Sequence, residues 1–208
     1  MTTRKPHATT DDASFVSKAL SKLILHVPKS DERASSDPMA RSRSLAKSAA
    51  RRAAAISTGL SLPPGPVGML TILPDLLAIW NLQSALVADI ASAYGKKASL
   101  TREAMVYCLF KHGGAALLRD VVVRAGERFV VRQTSTRALE GLLAKVGVRI
   151  SQRVLGEAFA RYVPLLGAAA IGAYAYYDTA KVAANTIELF SAEIVIEPGS
   201  GHARHGSA

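Results

Sequence analysis

The 208-residue chain is predicted to be all-α, a compact multi-helix bundle with a central, hairpin-like core of two apolar helical segments that contain Gly and Pro. Three observations predict it. Aromatic residues make up 6% of the chain while Ala, Leu and Val abound, a composition that suits helices packed through small residues better than a β-sandwich. Apolar residues recur at spacings of three and four through most of the remaining sequence. Finally, two long passages carry no charge, residues 53–74 and 162–177. The first is long enough for a membrane span of about 20 residues, but Pro63, Pro64, Gly65, Pro66 and Gly68 break it. The second is too short to span comfortably alone.

Residues 1–36 are expected to form a flexible arm. It holds one short amphipathic helix whose apolar face is Phe15, Ala19, Leu20, Leu23, Ile24 and Val27, followed by a linker or exposed loop from Pro28 to Pro38. Asp37 as N-cap and Pro38 in the first turn then start a helix that runs to about Ile56. After the Pro/Gly passage, Pro74 opens a long helix ended by Gly95 in a left-handed cap. Asp75 lies in its first turn, where a carboxylate complements the free amides, and Trp80 reads as core or interfacial packing. Thr101 caps the next helix, which reaches the breaker pair Gly113 and Gly114.

Residues 115–132 read two ways. A hairpin around Ala125 and Gly126 fits DVVVRAGERFVVR. A helix fits the spacing of Leu117, Val121, Ala125 and Phe129 and the pair Asp120 with Arg124, and is favoured. Helix continues over 135–162, with Leu139, Leu142, Leu143 and Val146 toward the core. A last helix from Pro164 carries Ala168 with Gly172 and Ala169 with Ala173, small residues four apart that allow another helix to approach closely. Residues 191–208 are expected to be a disordered tail.

Net charge is +10, so the expected partner is anionic. Segments 1–52 and 96–163 carry +6 and +8, whereas 53–95 and 164–208 each carry −2. Basic stretches thus alternate with apolar ones, as at a membrane surface and equally in a basic soluble protein. On the helices as predicted, Arg43, Lys47 and Arg51 form one cationic stripe and Arg124, Arg128 and Arg132 a second. Both are candidates for lipid headgroups.

Signatures of chemistry are missing. No phosphate-gripping loop, nucleophile elbow or zinc-binding helix motif occurs. His112 beside Gly113 reads as a partner for helix-end carbonyls, and Cys108, the single cysteine, as a small core residue fitting a reducing compartment. Asp75 and Asp178, one at each apolar passage, read as structural polar anchors. No catalytic residue, metal site or cofactor is assigned.

The runs GLSLPPGPVGML, LPDLLAIW, LVADIASAYG and VPLLGAAAIGAYAYYD together resemble the EcsC-like family of bacterial proteins over roughly residues 45–190. The resemblance implies a helical, membrane-associated accessory protein, with residues 37–190 as its domain. The expectation is a non-enzymatic accessory or scaffold protein, cytoplasmic and peripheral to or shallowly inserted in the inner membrane. Its partner would be anionic lipid or a membrane protein complex, with self-association allowed. The rival reading is a soluble protein binding nucleic acid nonspecifically, disfavoured because no aromatic residues interleave with the basic ones to stack bases.

Overall fold

The computed structural model describes residues 27–61, 72–146 and 164–198. Expectations for the N-terminal amphipathic helix, the Pro/Gly passage, residues 147–163 and the end of the chain lie outside these. The described part is mostly helical. Its α-helices are α1 (Pro38–Ser61), α2 (Ile72–Ala93), α3 (Arg102–Leu118), α4 (residues 136–146) and α5 (Pro164–Ser191). A three-stranded sheet joins them, built from β1 (Val122–Ala125), β2 (Arg128–Arg132) and β3 (Glu193–Glu197).

Local chemistry sets the starts of α1 and α3 and the end of α2 where the sequence placed them, whereas α1 runs past Ile56 to Ser61 and α3 past Gly113 and Gly114 to Leu118. The Asp37 side chain accepts the amide of Ala40 at 2.9 Å, and Thr101 accepts that of Ala104 at 3.2 Å. Gly95 adopts φ +68°, with its own amide on the Ser92 carbonyl and the Lys96 amide on that of Ala91, the paired bonds of a Schellman cap. Lys96 then reaches across to the far end of α5, where its ammonium donates to the carbonyls of Phe190 and Ala192 at 2.8 and 2.7 Å. A cation thus satisfies orphan carbonyls at the negative end of that helix. α3 passes through Gly113 and Gly114 with a kink, Gly114 leaving helical geometry at φ −150°.

α2 and α5, the helices of the two apolar passages, touch each other, and both touch α1 and α3. The Ser57–Asp75 bond sets α1 antiparallel to α2, and clusters joining Leu45 and Ala49 to Leu86, Ile90 and Ala183 extend that contact. Gly172 of α5 faces Ala54 and Thr58 of α1. The main core lies on the other side, where Trp80 and Val87 of α2 meet Met105, Leu109 and Phe110 of α3, Phe129 and Val131 of β2, and Leu139 and Leu143 of α4. Trp80 is therefore core, 5% exposed, with its ring edge-on to Phe110.

Three expectations are corrected. Residues 122–132 are not helix. They form an antiparallel hairpin in the register Val122↔Val131 and Arg124↔Phe129, turned at Gly126 with φ +65°, a conformation glycine tolerates without steric cost. The chain end is not wholly a tail, because Glu193–Glu197 pairs parallel with β2, Arg128 opposite Glu193 and Arg132 opposite Glu197. These strands are what an all-α class omits. Residues 27–36, assigned to the flexible arm, form a strap against the end of α2: Ser35 donates its amide to the Ala93 carbonyl at 2.9 Å, and Ser30 its hydroxyl to Asp89 at 2.6 Å.

Candidate functional site

α1 carries Arg41, Arg43, Lys47, Arg51 and Arg52 and no acidic residue over its 24 residues. Its buried side is Ser42, Ala50, Ala53 and Ser57, so the helical period turns Arg43, Lys47, Arg51 and Arg52 outward, and all four are exposed. Arg41 is held by Glu32 of the strap through two bonds of 3.1 and 2.7 Å. That fork keeps the Glu32 carboxyl below its usual range. The other four cations form no ion pair among the described residues.

The second cationic stripe does not exist as expected. With 122–132 in strands, Arg124 sits on β1 and Arg128 and Arg132 on β2, and each has a carboxylate. Arg124 meets Glu188 at 3.3 Å and lies over the Phe129 ring, Arg128 meets Glu193 at 2.8 Å, and Arg132 meets Glu197 at 3.3 Å. Parallel pairing of β2 with β3 places two cations directly opposite two acids, which neutralises this face locally.

The small residues of α5 divide between two faces. Ala168 and Gly172 are buried, Gly172 against α1, whereas Ala169 and Ala173 are exposed. With them on the outside are Tyr176 and Tyr177, at 42% and 58% exposure, beside Tyr174 at 39%. The sequence alone shows this run as uniformly apolar and hides its outward tyrosines; the one signal of them is their offset of seven and eight residues from Ala169.

Asp75 and Asp178 belong to separate hydrogen-bond sets. Buried Asp75 accepts the Ser57 hydroxyl at 2.7 Å. Asp178 accepts Gln83 Nε2 at 2.8 Å and the His112 Nε2 proton at 2.7 Å. The Asn185 amide nitrogen, anchored on the Cys108 carbonyl at 3.2 Å, faces His112 Nδ1 at 3.4 Å. Both imidazole nitrogens are thus engaged by side chains, and His112 is not the partner of helix-end carbonyls that its position beside Gly113 suggested. Gln83 and Asn185, amide side chains on the apolar-rich helices α2 and α5, are the legible sign of this cluster. Cys108 is fully buried, and burial pushes its thiol up to about 12, leaving it protonated and unreactive at neutral pH.

Comparison with protein-family models, curated proteins and solved structures yields no match. The resemblance to the EcsC-like family therefore rests on the quoted runs alone. No group of three or more His, Cys, Asp or Glu placed to hold a metal occurs among the described residues. One described helix, over Pro74–Ala93, is long and apolar enough to cross a membrane, with mean hydropathy 1.4, and 61% of that stretch is buried inside the protein. Pro63, Pro64, Gly65, Pro66 and Gly68 fall outside the described residues.

Proposed function

We propose that the protein is a non-enzymatic accessory or scaffold protein that binds anionic lipid surfaces from the cytoplasmic side of a membrane, with Arg43, Lys47 and Arg51 as its headgroup contacts. The observation that carries this reading is the exposed face of α1, where four cations stand without an acid on their own helix and without an ion pair among the described residues. Cations left unpaired on a rigid helix are available to phosphates, each contributing about 1 kcal/mol near an anionic surface. Arg124, Arg128 and Arg132 are left out because their carboxylate partners already occupy them.

The apolar passages complete the reading. Ser57 of α1 bonds Asp75 at the start of α2, and Gly172 near the start of α5 packs on Thr58, so the end of α1, the start of α2 and the early turns of α5 gather at one end of the bundle. The uncharged Pro/Gly passage connects two of these elements in sequence, and we assign to that end the shallow apolar contact and the hairpin-like centre of the domain. Asp75 and Asp178 serve as polar anchors that fix α2 against α1 and α5. The buried, free Cys108 fits a reducing compartment.

The same stripe would attract nucleic acid nonspecifically. Vesicle binding in the presence of excess duplex DNA separates the two. The lipid reading expects DNA to leave a vesicle-bound fraction, and complete displacement by DNA would favour a general polyanion binder.

A further inference from the structure

The first half of α5 breaks the ordinary relation between exposure and polarity. From Pro164 to Tyr177 it has no charged residue. A core helix of that composition would be enclosed, yet its outward face is open: Ala169, Ala170, Ala173, Tyr176 and Tyr177 are all exposed. The inward face is fully used, because Gly172 lies against the α1 backbone and Ala175 packs with Ala53 and Ile79.

What covers the open face is indicated by its chemistry and its neighbours. Its large residues are tyrosines, whose rings are apolar and whose hydroxyls remain wet, the combination favoured at the boundary between headgroups and acyl chains. Beside them stands a cation, Lys181, with its ammonium 5.2 Å from the centre of the Tyr177 ring. The nearest acid in sequence, Asp178, is turned away onto Gln83 and His112. The Ala53–Ala175 contact places Arg51 and Arg52 of α1 at the same level of the bundle as Tyr176 and Tyr177 of α5. Cations that form no ion pair among the described residues and exposed tyrosines therefore border one helix–helix contact, with no free acid among these residues to repel an anionic surface.

We propose that the outward face of α5, centred on Tyr176 and Tyr177, is the surface that enters the headgroup region of an anionic bilayer, with Lys181, Arg51 and Arg52 meeting phosphates beside it. This rests on the lipid-binding reading above and adds to it which face lies down. The contact is interfacial: the tyrosine hydroxyls keep the helix at headgroup depth, and α1 covers its other side.

Trp80, the single tryptophan, is buried in the core, so a second one can serve as a local probe. The full-length Tyr177→Trp variant is mixed with vesicles of phosphatidylcholine and phosphatidylserine, with and without brominated acyl chains, and the emission of the wild type under the same conditions is subtracted. The expected result is a blue-shifted emission from position 177 that brominated lipid quenches. In parallel, Tyr176→Ser with Tyr177→Ser should weaken vesicle binding roughly tenfold while thermal unfolding stays unchanged. Wild type that pellets with the vesicles while the emission at position 177 neither shifts nor is quenched would overturn this face and leave the α1 contact standing. Wild type that fails to pellet with the vesicles would overturn the lipid-binding reading and this inference together.

Discussion

Gly172 of α5 sits so close to Thr58 of α1 that a β-carbon on it would overlap the Thr58 hydroxyl and stand 3.1 Å from the carbonyl oxygen of Ala54. The two helices meet backbone to backbone at this point, as small residues spaced along a helix permit. Their exposed sides, one cationic and one bearing tyrosines, are thereby held in a fixed relation, and the proposed membrane contact depends on it.

Gly172→Ala is expected to destabilise the protein by about 1–3 kcal/mol, because Ala54 contributes backbone that cannot swing aside. Gly59, one residue along from Thr58 in the same helix, should respond oppositely, since a β-carbon there would meet nothing within 4 Å. Gly59→Ala should gain about 0.5 kcal/mol through helix propensity. Urea unfolding of both variants checks the pair, and equal effects would refute a close approach specific to position 172.

The Arg128–Glu193 and Arg132–Glu197 pairs are at least half exposed, so each should contribute no more than about 1 kcal/mol. Their value lies in register. Arg128→Glu places like charges opposite each other across the parallel strands, and adding Glu193→Arg should restore most of the loss. A double-mutant cycle by thermal unfolding reads the coupling, which should shrink as salt is raised.

Glu32 supplies a pH dependence. Its carboxyl is held below the usual value of 4.5, first by the hydrogen bond from Arg41 and also by that guanidinium's charge. A depressed folded-state value means the stability that the Glu32–Arg41 pair contributes is fully present above about pH 4.5 and fades as pH falls through the folded value. The stability difference between wild type and Glu32→Gln should therefore be constant from neutral pH to about pH 5 and close in more acid solution. A difference unchanged throughout the acid range would remove the ion pair as its cause.

What the sequence disclosed was local. Asp37, Thr101 and Gly95 announce helix ends through bonds made within a few residues, and the structure has them there. Leu139, Leu143 and Val146 announce the buried side of α4 through spacing alone. The failures share a cause. Val121, Ala125 and Phe129 keep helical spacing and Asp120 stands four before Arg124, yet the other local reading, the hairpin turned at Gly126, is the one that forms, with strand β3, more than sixty residues later, paired beside β2. Nothing near residue 125 specifies that partner. The same holds for His112 and Asp178, joined across 66 residues of sequence, and for the two faces of α5, which separate only once α1 packs on Gly172.

Lipid binding through the face of α1 is tested most directly by co-sedimentation with phosphatidylserine-containing vesicles at low salt, comparing wild type with the variant Arg43→Glu, Lys47→Glu and Arg51→Glu. The three positions are exposed and form no ion pair among the described residues, so the variant should fold as wild type does. Wild type is expected to pellet, and the variant to bind at least about 100-fold more weakly. Wild type left in the supernatant, or a variant that pellets as wild type does, would contradict lipid binding through α1.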